Sequence, residues 1–222
     1  MVAESRPGYA SQWATIVAVA DRLGIGTAET LRHWVRQAEV DGGARPGSGK
    51  TTLLSVMGHL LKVQRGHISA VAADGAQAPL HEHATWVLQT VSLLPDRSAL
   101  DNTAVGAYSD GADRTEARRR SLQALDAVGL AGRKHEPTRI LSGGEAQRVA
   151  IARALASGRP IILADEPTGQ LDAATSAVVL EAMIGAHGGR TVVVVTHDPE
   201  VAGRCDLILE LRNGVVHERA RL

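Results

Sequence analysis

The stretch Gly47-Ser48-Gly49-Lys50-Thr51-Thr52 constrains this chain more than any other. Glycines at this spacing let the backbone wrap an anion with its N–H groups turned inward. The residues that follow, Leu53, Leu54, Met57, Leu60 and Leu61, recur at helical spacing and predict a helix with one buried face. A helix starting there aims its positive end at the same anion. Lys50 is placed to reach the β- and γ-phosphates of a nucleotide, and the Thr51 hydroxyl to ligate Mg²⁺. The full form of such a loop has another glycine five residues before Gly49. Ala44 stands there, with Gly43 one step away.

Two further stretches extend this chemistry. Ile161-Ile162-Leu163-Ala164-Asp165-Glu166 is an apolar strand ending in two carboxylates. Acidic pairs often end strands facing solvent, so alone this says little. Downstream of a phosphate loop it predicts a metal-holding Asp165 and a water-activating Glu166. Leu141-Ser142-Gly143-Gly144-Glu145 opens a regular helix, with unpaired N–H groups at its start. That is a second anion site on the same chain. A plain capped helix start is the competing reading, and it leaves the paired glycines without a reason.

Around these motifs the chain alternates strands and helices. Ala84–Gln89 and Thr191–Val195 read as strands. Residues 98 to 136 read as helical and polar, Thr115–Val128 most clearly, with Arg118-Arg119-Arg120 on a solvated face. Arg212-Asn213-Gly214 between apolar runs predicts a hairpin. The 222 residues suffice for one α/β domain with a small appendage. Charge is balanced at 24 basic and 24 acidic residues, which speaks against nonspecific nucleic-acid binding by the whole chain. Lys50 is one of only three lysines, with Lys62 and Lys134. The single cysteine, Cys205, fits a reducing compartment. No apolar run reaches the roughly 20 residues that span a bilayer, so a membrane role is expected to come through a partner.

Taken in order, these residues resemble the ATP-binding cassette (ABC) family over about residues 47 to 222. Leu141–Glu145 resembles its signature sequence, and Asp165-Glu166 its acidic strand end. Gln89, after the strand at Ala84–Leu88, resembles the family's Q-loop glutamine. Asp172, in Gln170-Leu171-Asp172, resembles the aspartate after that strand end, and His197 the switch histidine. Leu93-Leu94-Pro95, Ser98-Ala99 and Asn102 are similar to the branch serving lipoprotein release and macrolide export. The resemblance implies a P-loop α/β cassette with a RecA-like core and a helical subdomain at about 90–150. It also implies an ATPase with ATP and Mg²⁺ as cofactors. Nucleotide contacts would come from Gly47, Ser48, Gly49, Lys50, Thr51, Thr52, Ser142, Gly143, Gly144 and Asp172. Metal would be held by Thr51, Gln89 and Asp165, and catalysis would fall to Glu166, His197 and Gln89. Two cassettes would pack head to tail, as a homodimer or heterodimer, and energise a separate transmembrane permease. The chain would then sit on the cytoplasmic face of the membrane through that permease.

Residues 9 to 46 do not resemble a cassette. Trp13, Ile16, Val17, Ala20 and Leu23, then Leu31, Trp34, Val35 and Ala38, have helical spacing around Gly24-Ile25-Gly26. The segment resembles the helix-turn-helix protein of insertion-sequence transposases, with Arg32, His33 and Arg36 on its second helix. Residues 1–44 carry four arginines and five acidic residues, a weak charge for a DNA binder. The expected division is therefore a helix-turn-helix-like segment at 1–44 and a cassette at 45–222. The segment supplies no recognisable strand before the phosphate loop and no aromatic to stack on adenine, a loss worth roughly 1–3 kcal/mol where bases stack on proteins. Two other readings stay open: a catalytically impaired fusion remnant, and a DNA-binding transposition protein acting through residues 9–42.

Overall fold

The computed structural model describes residues 49–63, 66–72, 75–184, 190–212 and 215–219. Gly47, Ser48 and the helix-turn-helix-like segment at 1–44 lie outside the described residues. The elements, numbered over the described residues, begin with α1 (Gly49–Met57), β1 (Ser69–Val71), β2 (Gln77–Pro79), α2 (Leu80–His83) and β3 (Ala84–Val87). A helical run follows: α3 (Ala99–Ser109), α4 (Arg114–Ala127) and α5 (Gly143–Ala156). The chain continues through β4 (Ile161–Asp165), α6 (Ala173–Ile184), β5 (Thr191–Val195) and α7 (Pro199–Gly203). It ends in the antiparallel pair β6 (Ile208–Arg212) and β7 (Val215–Arg219).

The sheet that organises the site is β3-β4-β5, parallel, with Trp86 beside Leu163 and Leu163 beside Val193. Side chains along a strand alternate between faces. On one face, Val87, Ile162, Ala164, Val192 and Val194 pack against α3, α4, α5 and α6 through Ala99, Leu125, Ile151 and Val179. On the other, Trp86, Ile161, Leu163, Val193 and Val195 pack around Leu54 of α1. Both faces of β4 are thus covered and all five of its residues are buried, which is why it reads as an unbroken apolar run. The same alternation puts Asp165 on the α1 side, two residues beyond Leu163.

Three expectations are corrected. The helix after the phosphate loop stops at Met57, so Leu60 and Leu61 lie beyond it, and Leu53 is 38% exposed. It stops because Gly58 lies against the Trp86 indole, where a Cβ would come within 1.9 Å of the ring, and because His59 has φ of 62°. β3 ends at Val87, two residues short of Gln89. The run from 98 is helical but its first helix is not polar in setting: Ala99–Leu100 and Asn102–Tyr108 of α3 are all buried, between α4 and α5. Arg118 and Arg119 are exposed as expected, while Arg120 is half-buried and pairs with Glu116 at 2.7 Å. The hairpin pairs Arg212 with Val215 as expected. Arg159 fastens the helical layer to the sheet. Its Nε pairs with Asp110 at 3.0 Å, and its Nη1 donates to the carbonyls of His81 and Ala84.

Candidate nucleotide site

In a parallel sheet all carboxyl ends point the same way, and ligands bind beyond them. Here the ends of β4 and β5 deliver Asp165-Glu166 and Thr196-His197 to the amino-terminal turn of α1, which carries Lys50 and Thr51. Thr51 Oγ1 donates to Asp165 Oδ1 at 3.3 Å. Lys50 Nζ donates to the Thr196 carbonyl at 3.4 Å and lies 3.4 Å from His197 Nδ1. Thr196 Oγ1 donates to Glu166 Oε2 at 3.2 Å. His197 Nε2 is 3.9 Å from Glu166 Oε1, which is buried and has no hydrogen-bond partner among the described residues. Six side chains, Lys50, Thr51, Asp165, Glu166, Thr196 and His197, therefore converge, and one carboxylate oxygen among them is left to accept from something else.

The backbone helps to aim these groups. The Glu166 N–H donates to the Val195 carbonyl at 2.9 Å, extending the β4–β5 ladder one residue past Asp165. Glu166 then has φ of 46°, which turns the chain out of the strand direction. Burial pushes the Asp165 carboxyl above the ordinary Asp value, the Thr51 hydroxyl opposes this, and the Glu166 charge adds to it. The Thr51 hydroxyl and the Asp165 carboxylate, side by side at 3.3 Å, are hard oxygen donors of the kind Mg²⁺ takes, usually with several waters retained. The donor set and the unpaired Glu166 oxygen fit a bound metal, water and phosphate.

The remaining expected residues are placed differently. Thr52 is exposed on α1. Gln89 is exposed just beyond β3, and among the described residues no hydrogen bond joins it to Asp165 or Glu166. Ser142 caps α5 within a capping box: its N–H and hydroxyl both donate to Glu145 Oε2 at 2.9 Å, and the Glu145 N–H returns a bond to Ser142 Oγ at 3.3 Å. The Ser142 N–H, first among the causes, holds the Glu145 carboxyl below its ordinary range. Gly143 and Gly144 lie against Gln170 and Leu171, where added Cβ atoms would come to 3.2 Å and 3.3 Å. Close packing is thus a reason for the paired glycines that the sequence did not suggest. Asp172 caps α6 by accepting from the Thr175 N–H at 2.9 Å and the Thr175 hydroxyl at 2.8 Å, and those bonds lower its pKa. Thr196 was not singled out from sequence. Its only signal there is its place between a strand and a histidine.

The sequence profile of the family described as ABC transporter matches residues 44–169. The chain is similar to the lipoprotein-releasing system ATP-binding protein LolD of Shewanella sp. (strain MR-7), 42% identical over 177 residues, 76% of this chain and 77% of that one. It is also similar to the macrolide export ATP-binding/permease protein MacB of Bradyrhizobium diazoefficiens, 41% identical over 179 residues. That match covers 77% of this chain and 27% of the relative, so the chain spans about a quarter of the MacB proteins it matches. Among solved structures, the dimeric ABC transporter cassette MJ0796 superposes with a TM-score of 0.67 at 33% identity, over 80% of this chain and 84% of that one. A post-hydrolysis dimer of the same cassette bound to ADP and Pi gives a TM-score of 0.66.

Proposed function

This chain belongs to the ABC transporter family, and on that premise we propose that it binds and hydrolyses MgATP to energise a transmembrane permease. The observation that carries the proposal is the convergence of Lys50, Thr51, Asp165, Glu166 and His197 at one sheet edge. The Lys50 ammonium and the N–H groups of the first turn of α1 neutralise the β- and γ-phosphates. Thr51 and Asp165 would hold Mg²⁺, which would supply positive charge to spread that of the phosphates. Glu166 accepts the proton of the attacking water, with Thr196 holding its second oxygen in place. His197, beside Lys50, donates to the γ-phosphate and orients the water. Gln89, exposed at the start of the connection to the helical layer, would act on the attacking water and help hold the metal if that layer brought it to the site.

The Ser142-Gly143-Gly144 turn is exposed at Ser142 and Gly143, as a surface that meets a second cassette must be. A head-to-tail pair would bring that turn over the phosphates held by its partner. The solved relatives are dimeric cassettes, which supports the arrangement. Among the described residues no helix is long and apolar enough to cross a membrane. Attachment to the inner face of the membrane through a permease follows from the reading. A lipoprotein or macrolide-like cargo, and a division at about residue 44 between an appended segment and the cassette, belong to the same proposal. The test is Mg²⁺-dependent ATP hydrolysis by the full chain against Glu166→Gln. Equal turnover by the two would refute it.

A further inference from the structure

Four hydrogen bonds converge on the side chain of Asn102 in α3, which is fully buried. Its Oδ1 accepts from the Leu94 N–H at 2.7 Å. Its Nδ2 is shared among the carbonyls of Leu94 at 3.0 Å, Arg97 at 3.3 Å and Ser98 at 3.0 Å. Thr138 Oγ1 adds a bond to the Leu94 carbonyl at 2.8 Å. Arg153, from α5, donates to the Ser92 carbonyl at 2.8 Å. The backbone of α5 is pressed onto α3 at this point, since a Cβ on Gly106 would lie 2.0 Å from the Arg153 carbonyl oxygen. Residues 92–98 are thus fastened to the helical layer. At the other end, Val87 is the last residue of β3 and is 1% exposed. Between the two anchors, Gln89 and Thr90 are exposed.

We propose that Asn102 is a positioning residue for Gln89. By locking residues 94–98 onto α3, it confines the adjustable part of this connection to Leu88–Val91. Three steps along the chain lead from Gln89 to the anchored Ser92, a reach of about 10 Å at ~3.3–3.6 Å per residue. Gln89 therefore follows the helical layer: a small shift of α3 and α5 moves it toward or away from Asp165 and Glu166. Loosening the clamp lets the slack be absorbed elsewhere, and the shift no longer reaches Gln89. The inference rests on the reading of Gln89 as a group that acts at the phosphate site.

The full chain tests this through Asn102→Ala, Gln89→Ala and the double variant, with kcat, ATP affinity and amide exchange measured on each. Asn102→Ala is expected to lower kcat on the order of tenfold with ATP affinity held within about twofold. It is also expected to speed exchange at the Leu94 amide. The double variant is expected to be no slower than Gln89→Ala alone, because residues acting in one chain of contacts are not additive. Losses that multiply would overturn the proposal and leave Asn102 a stabiliser of the helical layer. Gln89→Ala with unchanged kcat would instead remove the role of Gln89 itself, and positioning with it. Should Asn102→Ala fail to fold, Thr138→Val keeps the threonine shape and deletes one donor to Leu94. Its smaller loss must also vanish in the Gln89→Ala background, and a multiplying loss overturns the proposal equally.

Discussion

The hydroxyl of Thr196 donates to Glu166 Oε2 at 3.2 Å, so the end of β5 fixes one oxygen of the carboxylate at the end of β4. The other oxygen, Oε1, is left facing His197. Hydrogen bonds to charged groups contribute about 1.5–3 kcal/mol. Thr196→Val, which keeps shape and removes the donor, is expected to cut kcat roughly tenfold, as 1.36 kcal/mol does. ATP affinity should hardly change. Steady-state hydrolysis and nucleotide titration on the same sample check this, and an unaltered kcat would mean that Glu166 is held by other contacts.

Lys50→Ala is expected to abolish tight MgATP binding. Among the described residues the ammonium meets no carboxylate; it lies 3.4 Å from the Thr196 carbonyl and 3.4 Å from His197 Nδ1, so its charge is available to a phosphate. A fluorescent ATP analogue titrated against both proteins measures the loss. Equal affinity would remove the phosphate loop from the site.

Glu166→Gln should keep nucleotide binding and lose hydrolysis by about 10²–10⁴-fold, the usual contribution of a general base. With ATP bound and uncleaved, the variant should run as a dimer in size-exclusion chromatography. Adding Ser142→Arg should return it to monomer by filling the exposed turn ahead of α5. A Glu166→Gln protein that stays monomeric at saturating ATP would sink the head-to-tail arrangement.

Asp165 carries a pH signature. Burial raises its pKa in the folded chain above the unfolded value, so the folded state holds that proton more tightly. The stability from this effect is present below the ordinary Asp range, about pH 3.9, and is lost as pH rises through the higher folded value. Asp165→Asn, neutral throughout, should therefore melt above the parent at neutral pH without Mg²⁺. The gap should close on acidification toward the ordinary range. It should also lose Mg²⁺-dependent nucleotide binding. A parent that melts higher at neutral pH, metal-free, would contradict the assignment.

Arg159 and Asp110, with side chains 16% and 17% exposed, form a part-buried pair between the helical layer and the sheet. Losing charge-assisted hydrogen bonds of this kind costs about 1.5–3 kcal/mol. At ~2–4 °C per kcal/mol for a chain of this size, Arg159→Ala should lower Tm by roughly 3–12 °C. Differential scanning calorimetry decides it, and a shift under two or three degrees would mean that water replaces the guanidinium without loss.

Much of the site was legible because its chemistry is local. Lys50-Thr51 opens a helix, Asp165-Glu166 closes an apolar strand and His197 follows another, and each pattern is complete within six or seven residues. Their meeting depends on parallel register, which the unbroken apolar run Ile161–Ala164 is consistent with. What stayed hidden depends on distant neighbours. Leu60 and Leu61 continue a helical period, yet Trp86, far along the chain, meets Gly58 where the helix turns aside. Gly143 and Gly144 read as an anion-binding turn, and their contacts with Gln170 and Leu171 add a packing demand that no local pattern carries. Asn102 enters the sequence reading as part of the branch resemblance, inside a run that reads as polar. Its burial follows from α3 being enclosed by two other helices.

Glu166, with φ of 46°, occupies a left-handed backbone region that glycine enters freely and that costs other residues about 1–2 kcal/mol. Any search for a more stable version of this fold, by directed evolution under heat or by sequence optimisation on the backbone, will be drawn to glycine or asparagine at this position. Such a variant should tolerate higher temperature and hydrolyse nothing. Thermal selection applied to this chain without a turnover screen would thus remove its proposed base early.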